Sequence, residues 1–256
     1  MKSITEIMEL GSIGNQKSNY ESNNFLLIPE KVVCEKCGNT GRIFVKFDEG
    51  AATVELCSCQ QEKVLKKRLL KSGMVDLVKR FTLENFIVTQ DFQKEMVESA
   101  REFLEEGASM FYISGQSGCG KTHLCVSIVS KLLAKYQYQG TYVNWVDFID
   151  KIRYMEKDQE EYRELIQDIK TIQVLYIDDF LKAVNTEKLT EFYLSRVFEI
   201  IDYRYRNQKL ITVISTEKSI QDIAKIDQAI AGRIYERSGN FNINISNSSQ
   251  KNYRLK

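Results

Sequence analysis

The segment that most constrains the fold of this chain is residues 115–122, which read Gly-Gln-Ser-Gly-Cys-Gly-Lys-Thr. They match the pattern G-x-x-x-x-G-K-[ST] without a break, and the apolar run 110–114 before them is typical of a strand. The glycines let successive backbone N–H groups point at phosphate oxygens, and the start of the following helix adds its dipole. The sequence therefore predicts a strand, a phosphate-binding loop and a helix, in that order.

This loop assigns roles to particular side chains. We expect Lys121 to place its ammonium on the β- and γ-phosphates of ATP and the Thr122 hydroxyl to bind Mg²⁺. His123, the single histidine, should lie on the polar face of the helix, and Cys119 and Cys125 should not be metal ligands. The predicted nucleotide-binding residues are Gly115, Gln116, Ser117, Gly118, Cys119, Gly120, Lys121 and Thr122.

Two adjacent carboxylates form the second chemical signal. Asp178 and Asp179 follow the apolar residues 174–177, which read as a buried strand. Doubly wound sheets bind ligands at the carboxyl ends of their strands, so both acids should reach the nucleotide. We expect Asp178 to hold Mg²⁺ and Asp179 to orient and activate the water that attacks the γ-phosphate.

From about residue 81 onwards, strand and helix patterns alternate. Helix period appears in 91–106, 124–133 and 190–205, and short strands are predicted at 110–114, 141–146, 173–177, 210–214 and 241–245. This alternation indicates an α/β fold with a doubly wound parallel sheet. The polar residues 215–217 should lie between the loop strand and the Asp178 strand, as a γ-phosphate sensor or as an ordinary turn.

A cysteine cluster precedes this domain. The pattern C-x-x-C, a spacer over 38–56 and then C-x-C has the layout of a structural tetrahedral zinc site. The spacer alternates like two strands around a turn at 48–50, as in the hairpin of a zinc ribbon. The predicted zinc ligands are Cys34, Cys37, Cys57 and Cys59.

Composition narrows the class of protein. The formal net charge of +1 excludes a globally basic coat for nucleic acid, although not a local patch. The sequence has no apolar run of membrane-spanning length and no signal-peptide pattern at its start, so we expect a cytoplasmic protein with no membrane partner. The predicted organisation is a poorly ordered arm (1–33), a zinc module (34–60), a basic helical linker or contact surface (61–90) and an ATPase domain (91–256).

Together these motifs resemble the AAA+ ATPases of the bacterial helicase-loader family, the DnaC and DnaI type with its phage relatives, and also the related IstB-like transposition ATPases. The resemblance covers about residues 30–256. It rests on residues 34–41, 115–122, 177–179, 198–205, 214–219, 232–234 and 251–256.

The resemblance implies a P-loop AAA+ domain with a five-stranded parallel sheet that binds ATP, Mg²⁺ and, in its cysteine module, Zn²⁺. It implies a loader that binds the replicative hexameric helicase through the N-terminal module, contacts single-stranded DNA and hydrolyses ATP. Carried over by position, Thr216 falls in the sensor 1 region. Arg233 falls at the arginine finger, which would act on the nucleotide of a neighbouring copy, with Arg237 as the other candidate.

Two alternative functions stay open at this point, and so does the interpretation of residues 203–206. An IstB-like helper of a transposase would share every catalytic residue, and a nucleotide-gated adaptor would bind ATP with negligible hydrolysis. For DNA, Tyr203, Arg204, Tyr205 and Arg206 form a candidate contact cluster, and a helix packed in the core is the competing interpretation.

Overall fold

The structure is a computed structural model of the 256-residue chain. It describes residues 34–46, 52–57, 59, 67, 69–135, 138–155, 159–182 and 191–246. The chain divides into two units, 1–33 and 34–256, and all described residues belong to the second. The arm predicted over 1–33 therefore lies outside the described residues.

A five-stranded parallel sheet forms the centre of the fold, as the sequence predicts. Its strands are β3 (Met110–Gly115), β4 (Gly140–Asn144), β5 (Val174–Asp178), β6 (Ile211–Thr216) and β7 (Asn242–Ile245), after an antiparallel hairpin of β1 (Arg42–Lys46) and β2 (Ala52–Leu56). The strand order is β4-β5-β6-β3-β7. The loop strand β3 and the Asp178 strand β5 thus both neighbour β6, which places the carboxyl end of β6 between them.

Helices cover both faces of the sheet. The described helices are α1 (Val75–Arg80), α2 (Asp91–Glu106), α3 (Lys121–Lys135), α4 (Trp145–Met155), α5 (Gln159–Thr171), α6 (Glu191–Arg206), α7 (Ile220–Ile226) and α8 (Gln228–Ser238), with a 3₁₀ turn at Gly239–Phe241. None of these described helices is both long and apolar enough to span a bilayer. Because strand side chains alternate between faces, Phe111 packs in one core with α2 and α3, whereas Tyr112 packs in the other with α4, α6 and α8.

One strand ends earlier than predicted. The pattern extended the strand to Val146, but β4 ends at Asn144 and α4 begins at Trp145. The Asn144 side-chain oxygen accepts hydrogen bonds from the backbone N–H groups of Val146 (3.0 Å) and Asp147 (3.3 Å). Such a cap satisfies donors that the first helical turn leaves unpaired, and so it starts the helix there.

The segment predicted as a linker, 61–90, contributes buried side chains to the ATPase core. Leu69, Met74, Val78 and Phe86 belong to the same apolar cluster as Leu124 of α3. Residues 69–72 are helical, and Gly73 then takes a left-handed conformation (φ +74°) before α1. The boundary at residue 91 stays a prediction, but the apolar core begins before it.

Arg204 is only 1% exposed, which contradicts its place in the candidate DNA cluster at 203–206 and favours the competing interpretation of a helix packed in the core. Its guanidinium spans the end of α5 and the starts of β5 and β6, where several backbone carbonyls converge. Burial lowers the pKa of Arg204 to about 9, so it is still charged at neutral pH. Its acceptors within 3.1 Å are the carbonyls of Ile169, Lys170, Ile172 and Ile211 and the Thr212 hydroxyl.

Replacing Arg204 should therefore destabilise the fold. Arg204→Met leaves several buried carbonyls without donors, and each such group costs about 1–3 kcal/mol. We expect the free energy of unfolding in urea to fall by at least about 3 kcal/mol. Arg163→Met, at an exposed position of α5, is the matched control and should change it by less than about 0.5 kcal/mol. Equal stability of the two variants would contradict this role.

Candidate nucleotide-binding site and metal centre

The phosphate-binding loop joins β3 to α3 and depends on two glycines. Gly115 has φ +147°, and a Cβ there would lie 2.8 Å from both the Cβ and the carbonyl oxygen of Ile245 on β7. Gly120 has φ +102°, and its Cβ would lie 3.1 Å from the Phe86 ring. Only glycine fits both conformations and both close approaches, so these positions fix the curled path of the loop.

Lys121 is held at the centre of this loop. Its Nζ donates to the carbonyl oxygens of Gly115 and Gln116, each at 2.7 Å, and the residue is 7% exposed. Both acceptors are neutral, so no carboxylate cancels the positive charge through these bonds. A buried ammonium on neutral carbonyls is suited to bind a phosphate.

Asp178 is a buried carboxylate held by four donors. The Thr122 hydroxyl lies 3.3 Å from both carboxylate oxygens, the backbone N–H of Asp179 donates to Oδ1 at 3.1 Å, and the Tyr142 hydroxyl donates to Oδ2 at 3.4 Å. Ser215 Oγ also donates to Oδ1. Thr122 and Asp178, predicted as magnesium ligands, are therefore adjacent, and a hydroxyl beside a carboxylate fits the oxygen donors that Mg²⁺ prefers.

Two tyrosines complete this network, and sequence reasoning missed both. The Tyr176 hydroxyl lies 3.1 Å from Ser215 Oγ inside the sheet. Burial, with the charge of Asp178, raises the pKa of Tyr142 to about 12, so its hydroxyl is a proton donor at neutral pH. Both tyrosines lie in strands that read as core, and only knowledge of the strand order would have placed Tyr142 beside Asp178 and Tyr176 beside Ser215.

The second carboxylate, Asp179, points to a different partner. It adopts a left-handed backbone conformation (φ +54°), which is rare outside glycine, and its Oδ2 accepts a hydrogen bond from Lys182 Nζ at 3.0 Å. Lys182 also lies 3.9 Å from Glu217, and the bond to Asp179 raises the pKa of Lys182. The sequence did not single out Lys182, because a lysine after two acids is common on surfaces.

At the end of β6 the two polar side chains face different partners. Ser215 contacts Asp178, whereas the Thr216 hydroxyl donates to the carbonyl of Phe180 at 2.7 Å and accepts from the backbone N–H of Lys218. Thr216 is buried and its hydroxyl is fully engaged. The sensor role of Thr216 stays a prediction, and Ser215 is the residue of this strand that contacts the predicted metal ligand.

His123 connects α3 to the segment that precedes α2. Its Nε2 lies 2.8 Å from both the Thr82 carbonyl and Asn85 Oδ1, and the ring packs against Phe81 and Phe86. Burial lowers the pKa of His123, so the neutral form holds this segment beside the loop. Ile87, which follows Phe86, is 73% exposed, an apolar surface next to the phosphate-binding loop.

The predicted arginines are engaged within the same chain. Arg233 Nε donates to Asp202 Oδ1 at 2.7 Å, and Arg237 donates to the carbonyl of Tyr205. These partners lie on α6, whereas Lys121 and Asp178 are bonded to the loop, α3 and the strand ends. The structure thus joins Lys121, Thr122, Asp178 and Asp179 at one sheet edge, and places the hydrogen bonds of Arg233 elsewhere.

The four cysteines meet as the spacing predicts. All four sulfur atoms lie within 4.8 Å of one another, with Cys34 and Cys57 at 3.7 Å and Cys37 and Cys59 at 3.5 Å. Four thiolates bound to zinc at about 2.3 Å lie about 3.8 Å apart, so the cluster has the size of a tetrahedral site. Desolvation opposes ionisation of Cys37, but the Gly41 N–H and the neighbouring thiols outweigh it and lower the pKa of Cys37 to about 6.

Comparison with known proteins identifies the domain. The family described as the bacterial DnaA ATPase domain matches residues 77–237, more than half of the chain. The chain belongs to this family. This is an AAA+ nucleotide-binding domain related to the ATPases of DnaA and DnaC, and the predicted relationship to the helicase-loader class is confirmed.

Individual proteins and solved structures are similar to this chain over most of its length. The phage-like element PBSX protein XkdC of Bacillus subtilis is 26% identical over 234 residues, which cover 87% of this chain and 86% of XkdC. A crystal structure of the DnaC helicase loader (21% identity, TM-score 0.55) covers 67% of this chain and 98% of that chain. The structure of the replication initiator DnaA bound to AMPPCP and single-stranded DNA is 21% identical with a TM-score of 0.54. The match covers 68% of this chain and 51% of that DnaA chain. At these identities the two structures show the shared fold.

The cysteine cluster should hold one zinc ion per chain. Because closed tetrahedral sites need all four ligands, Cys34→Ser with Cys57→Ser should abolish stoichiometric zinc in the purified protein, measured by elemental analysis. Cys119→Ser with Cys125→Ser is the matched control, since these buried cysteines lie outside the cluster, and it should retain about one equivalent. Zinc that survives loss of Cys34 and Cys57 would contradict the assignment.

Proposed function

We propose that the protein is an ATP-dependent helicase loader, which binds a replicative hexameric helicase and single-stranded DNA and hydrolyses ATP. The observation that carries this proposal is the contact between Thr122 and Asp178 beside the buried Lys121. A lysine for the phosphates and a hydroxyl with a carboxylate for Mg²⁺ are the groups that a P-loop chain supplies to its own nucleotide. They lie here in a domain of the DnaA ATPase family.

In the proposed reaction, ATP binds with its phosphates over residues 115–120 and its γ-phosphate near Lys121. Thr122 and Asp178 would hold Mg²⁺, which supplies charge neutralisation on the β- and γ-phosphates when bound. Asp179 would accept the proton of the attacking water. Lys182 engages Oδ2 of Asp179, so the water would approach Oδ1 or take the place of the Lys182 ammonium.

The base of the nucleotide has a suitable surface beside the loop. Ile87 and Val88 are 73% and 47% exposed, and the preceding Phe86 touches the loop at Gly120. We propose that an adenine ring covers these two apolar side chains, because burying a flat apolar face is favourable.

Part of the site would come from a second copy of the chain. The transition state of phosphoryl transfer carries charge that arginine stabilises in other P-loop enzymes. The hydrogen bonds of Arg233 lie on α6 and α8, away from the phosphate-binding loop of its own chain, so we propose that it acts in trans, through self-association of ATPase domains.

Single-stranded DNA has a better candidate surface than the 203–206 cluster. At the end of α4, Tyr154 is 85% exposed, and its neighbour Arg153 lies against the Tyr193 ring at the start of α6. Arg196 lies 5.5 Å from the ring centre of the exposed Phe192. Aromatic faces that stack on bases and arginines that contact phosphates are the usual means of binding single strands.

The proposed ATP binding, ATP hydrolysis and helicase binding can be tested with two variants that block the reaction at different steps. Lys121→Ala should lose ATP binding, because the cation facing the phosphates is gone, whereas Asp179→Asn should bind ATP and leave it unhydrolysed. Binding is measured with a fluorescent ATP analogue and turnover by phosphate release. In the presence of ATP, Asp179→Asn should capture the host replicative helicase from extract, and Lys121→Ala should not.

Other results would favour the alternatives. Wild-type turnover in both variants would exclude this loop as the active site. Capture of a transposase in place of the helicase would support the IstB-like helper. ATP binding by the wild type with no phosphate release, with or without helicase and single-stranded DNA, would support the nucleotide-gated adaptor.

DNA binding through the α4–α6 surface predicts a local and salt-dependent effect. Arg153→Gln with Tyr154→Ala should weaken binding of a fluorescent oligothymidine by about 10-fold at low salt, since each stacked base contributes about 1–3 kcal/mol. Arg163→Gln on α5 is the matched control, exposed and basic but without a neighbouring aromatic contact among the described residues. Equal affinity of both variants, or affinity independent of salt, would exclude the surface.

A further inference from the structure

Asp202 is a buried acid to which the sequence motifs assign no role. It lies on α6, and its side chain is 8% exposed. Its Oδ1 accepts a hydrogen bond from Arg233 Nε at 2.7 Å, and its Oδ2 accepts one from Arg206. Burying a carboxylate costs free energy unless the charge is paired. The two arginines supply that pairing for Asp202.

The guanidinium of Arg233 is fixed from three sides. Asp202 binds Nε, the Ala229 carbonyl accepts from Nη1 at 3.0 Å, and the Phe198 ring lies 4.5 Å from the guanidinium carbon. The side chain is nevertheless 28% exposed. Within the described part of the chain, Nη2 forms no hydrogen bond, so this nitrogen can donate to a ligand while Nε and Nη1 are held.

We infer that Asp202 is a positioning residue for Arg233, holding its guanidinium ready for the γ-phosphate of ATP bound to a second copy. This inference rests on the proposed function, since it needs Arg233 to act in trans. An unrestrained arginine must lose rotamer entropy when it binds a phosphate. Anchoring Nε and Nη1 beforehand removes much of that cost and leaves Nη2 for the phosphate.

The other acids nearby do not perform this task. Asp227 caps α8 by accepting from the backbone N–H of Ile230, and Asp222 is bonded to Ser219 and Lys225. Asp202 is the one carboxylate that pairs with Arg233 among the residues the structure describes. Asp227→Asn is therefore a matched control: it removes a charge at the start of the same helix, and asparagine remains a good cap.

The test is steady-state ATP hydrolysis by the assembled full-length chain with Asp202→Asn. We expect kcat to fall by about 10-fold with the KM for ATP and the affinity for a fluorescent ATP analogue unchanged, while Arg233→Ala falls by roughly 10³-fold. The double variant should be no slower than Arg233→Ala, because Asp202 acts through that arginine. Asp227→Asn should keep the wild-type rate.

Mixing variants separates positioning from a general structural role. An Asp202→Asn subunit keeps its own nucleotide pocket, and a Lys121→Ala subunit keeps a well-positioned Arg233. In assemblies of Asp202→Asn with Lys121→Ala, the rate of hydrolysis per Asp202→Asn subunit should therefore rise. In assemblies of Asp202→Asn with Arg233→Ala, that rate should not rise. A merely structural defect would lower ATP affinity in the Asp202→Asn subunit and would not be rescued by Lys121→Ala.

Two failures are distinguishable. If Arg233→Ala hydrolyses ATP at the wild-type rate, the trans arginine of the proposed function is wrong, and the role of Asp202 with it. If Arg233→Ala is inactive but Asp202→Asn is fully active or is not rescued in the mixture, only the positioning role is overturned.

Discussion

The architecture of the site depends on how the protein satisfies one buried carboxylate, Asp178. A charged group at the end of a buried strand is tolerated only when its oxygens find donors. Here Thr122 comes from α3, Tyr142 from β4 and Ser215 from β6, so satisfying Asp178 fixes three elements relative to β5. The same constraint brings the hydroxyl that follows Lys121 beside the acid. The geometry expected for Mg²⁺ thus follows from the need to pair a charge.

At the other ends of these strands the converging groups are acceptors, and a buried cation, Arg204, supplies the donors. Where α5 ends and two strands begin, several carbonyls converge, and the Arg204 guanidinium supplies one donor group to all of them. Arginine suits this position because it presents five donors in a planar fork and remains charged when buried. One arginine and one aspartate therefore anchor the two ends of neighbouring strands.

Much of this could be predicted from sequence because its signals are local. The loop at 115–122, the strand before Asp178 and the cysteine spacing each define their structure within a few residues, and all were placed correctly. What failed depended on distant partners. Arg204 resembled a surface arginine because its acceptors are carbonyls, which have no signature in sequence. Ser215 was expected between the loop strand and the Asp178 strand, but its bond to Asp178, like that of Tyr142, depends on the strand order.

The ion pair between Asp179 and Lys182 is weak, which bears on the role proposed for Asp179. Both side chains are substantially solvent-exposed, 32% and 44%, and exposed ion pairs contribute only about 0–1 kcal/mol. Releasing Asp179 for the proposed proton transfer would therefore cost little. An arriving γ-phosphate competes for the Lys182 ammonium with a greater negative charge than Asp179 carries, and Glu217 offers a second acceptor 3.9 Å away. In the proposed mechanism, ATP would thus displace the lysine from the acid, which would couple occupancy of the loop to the availability of the proposed general base.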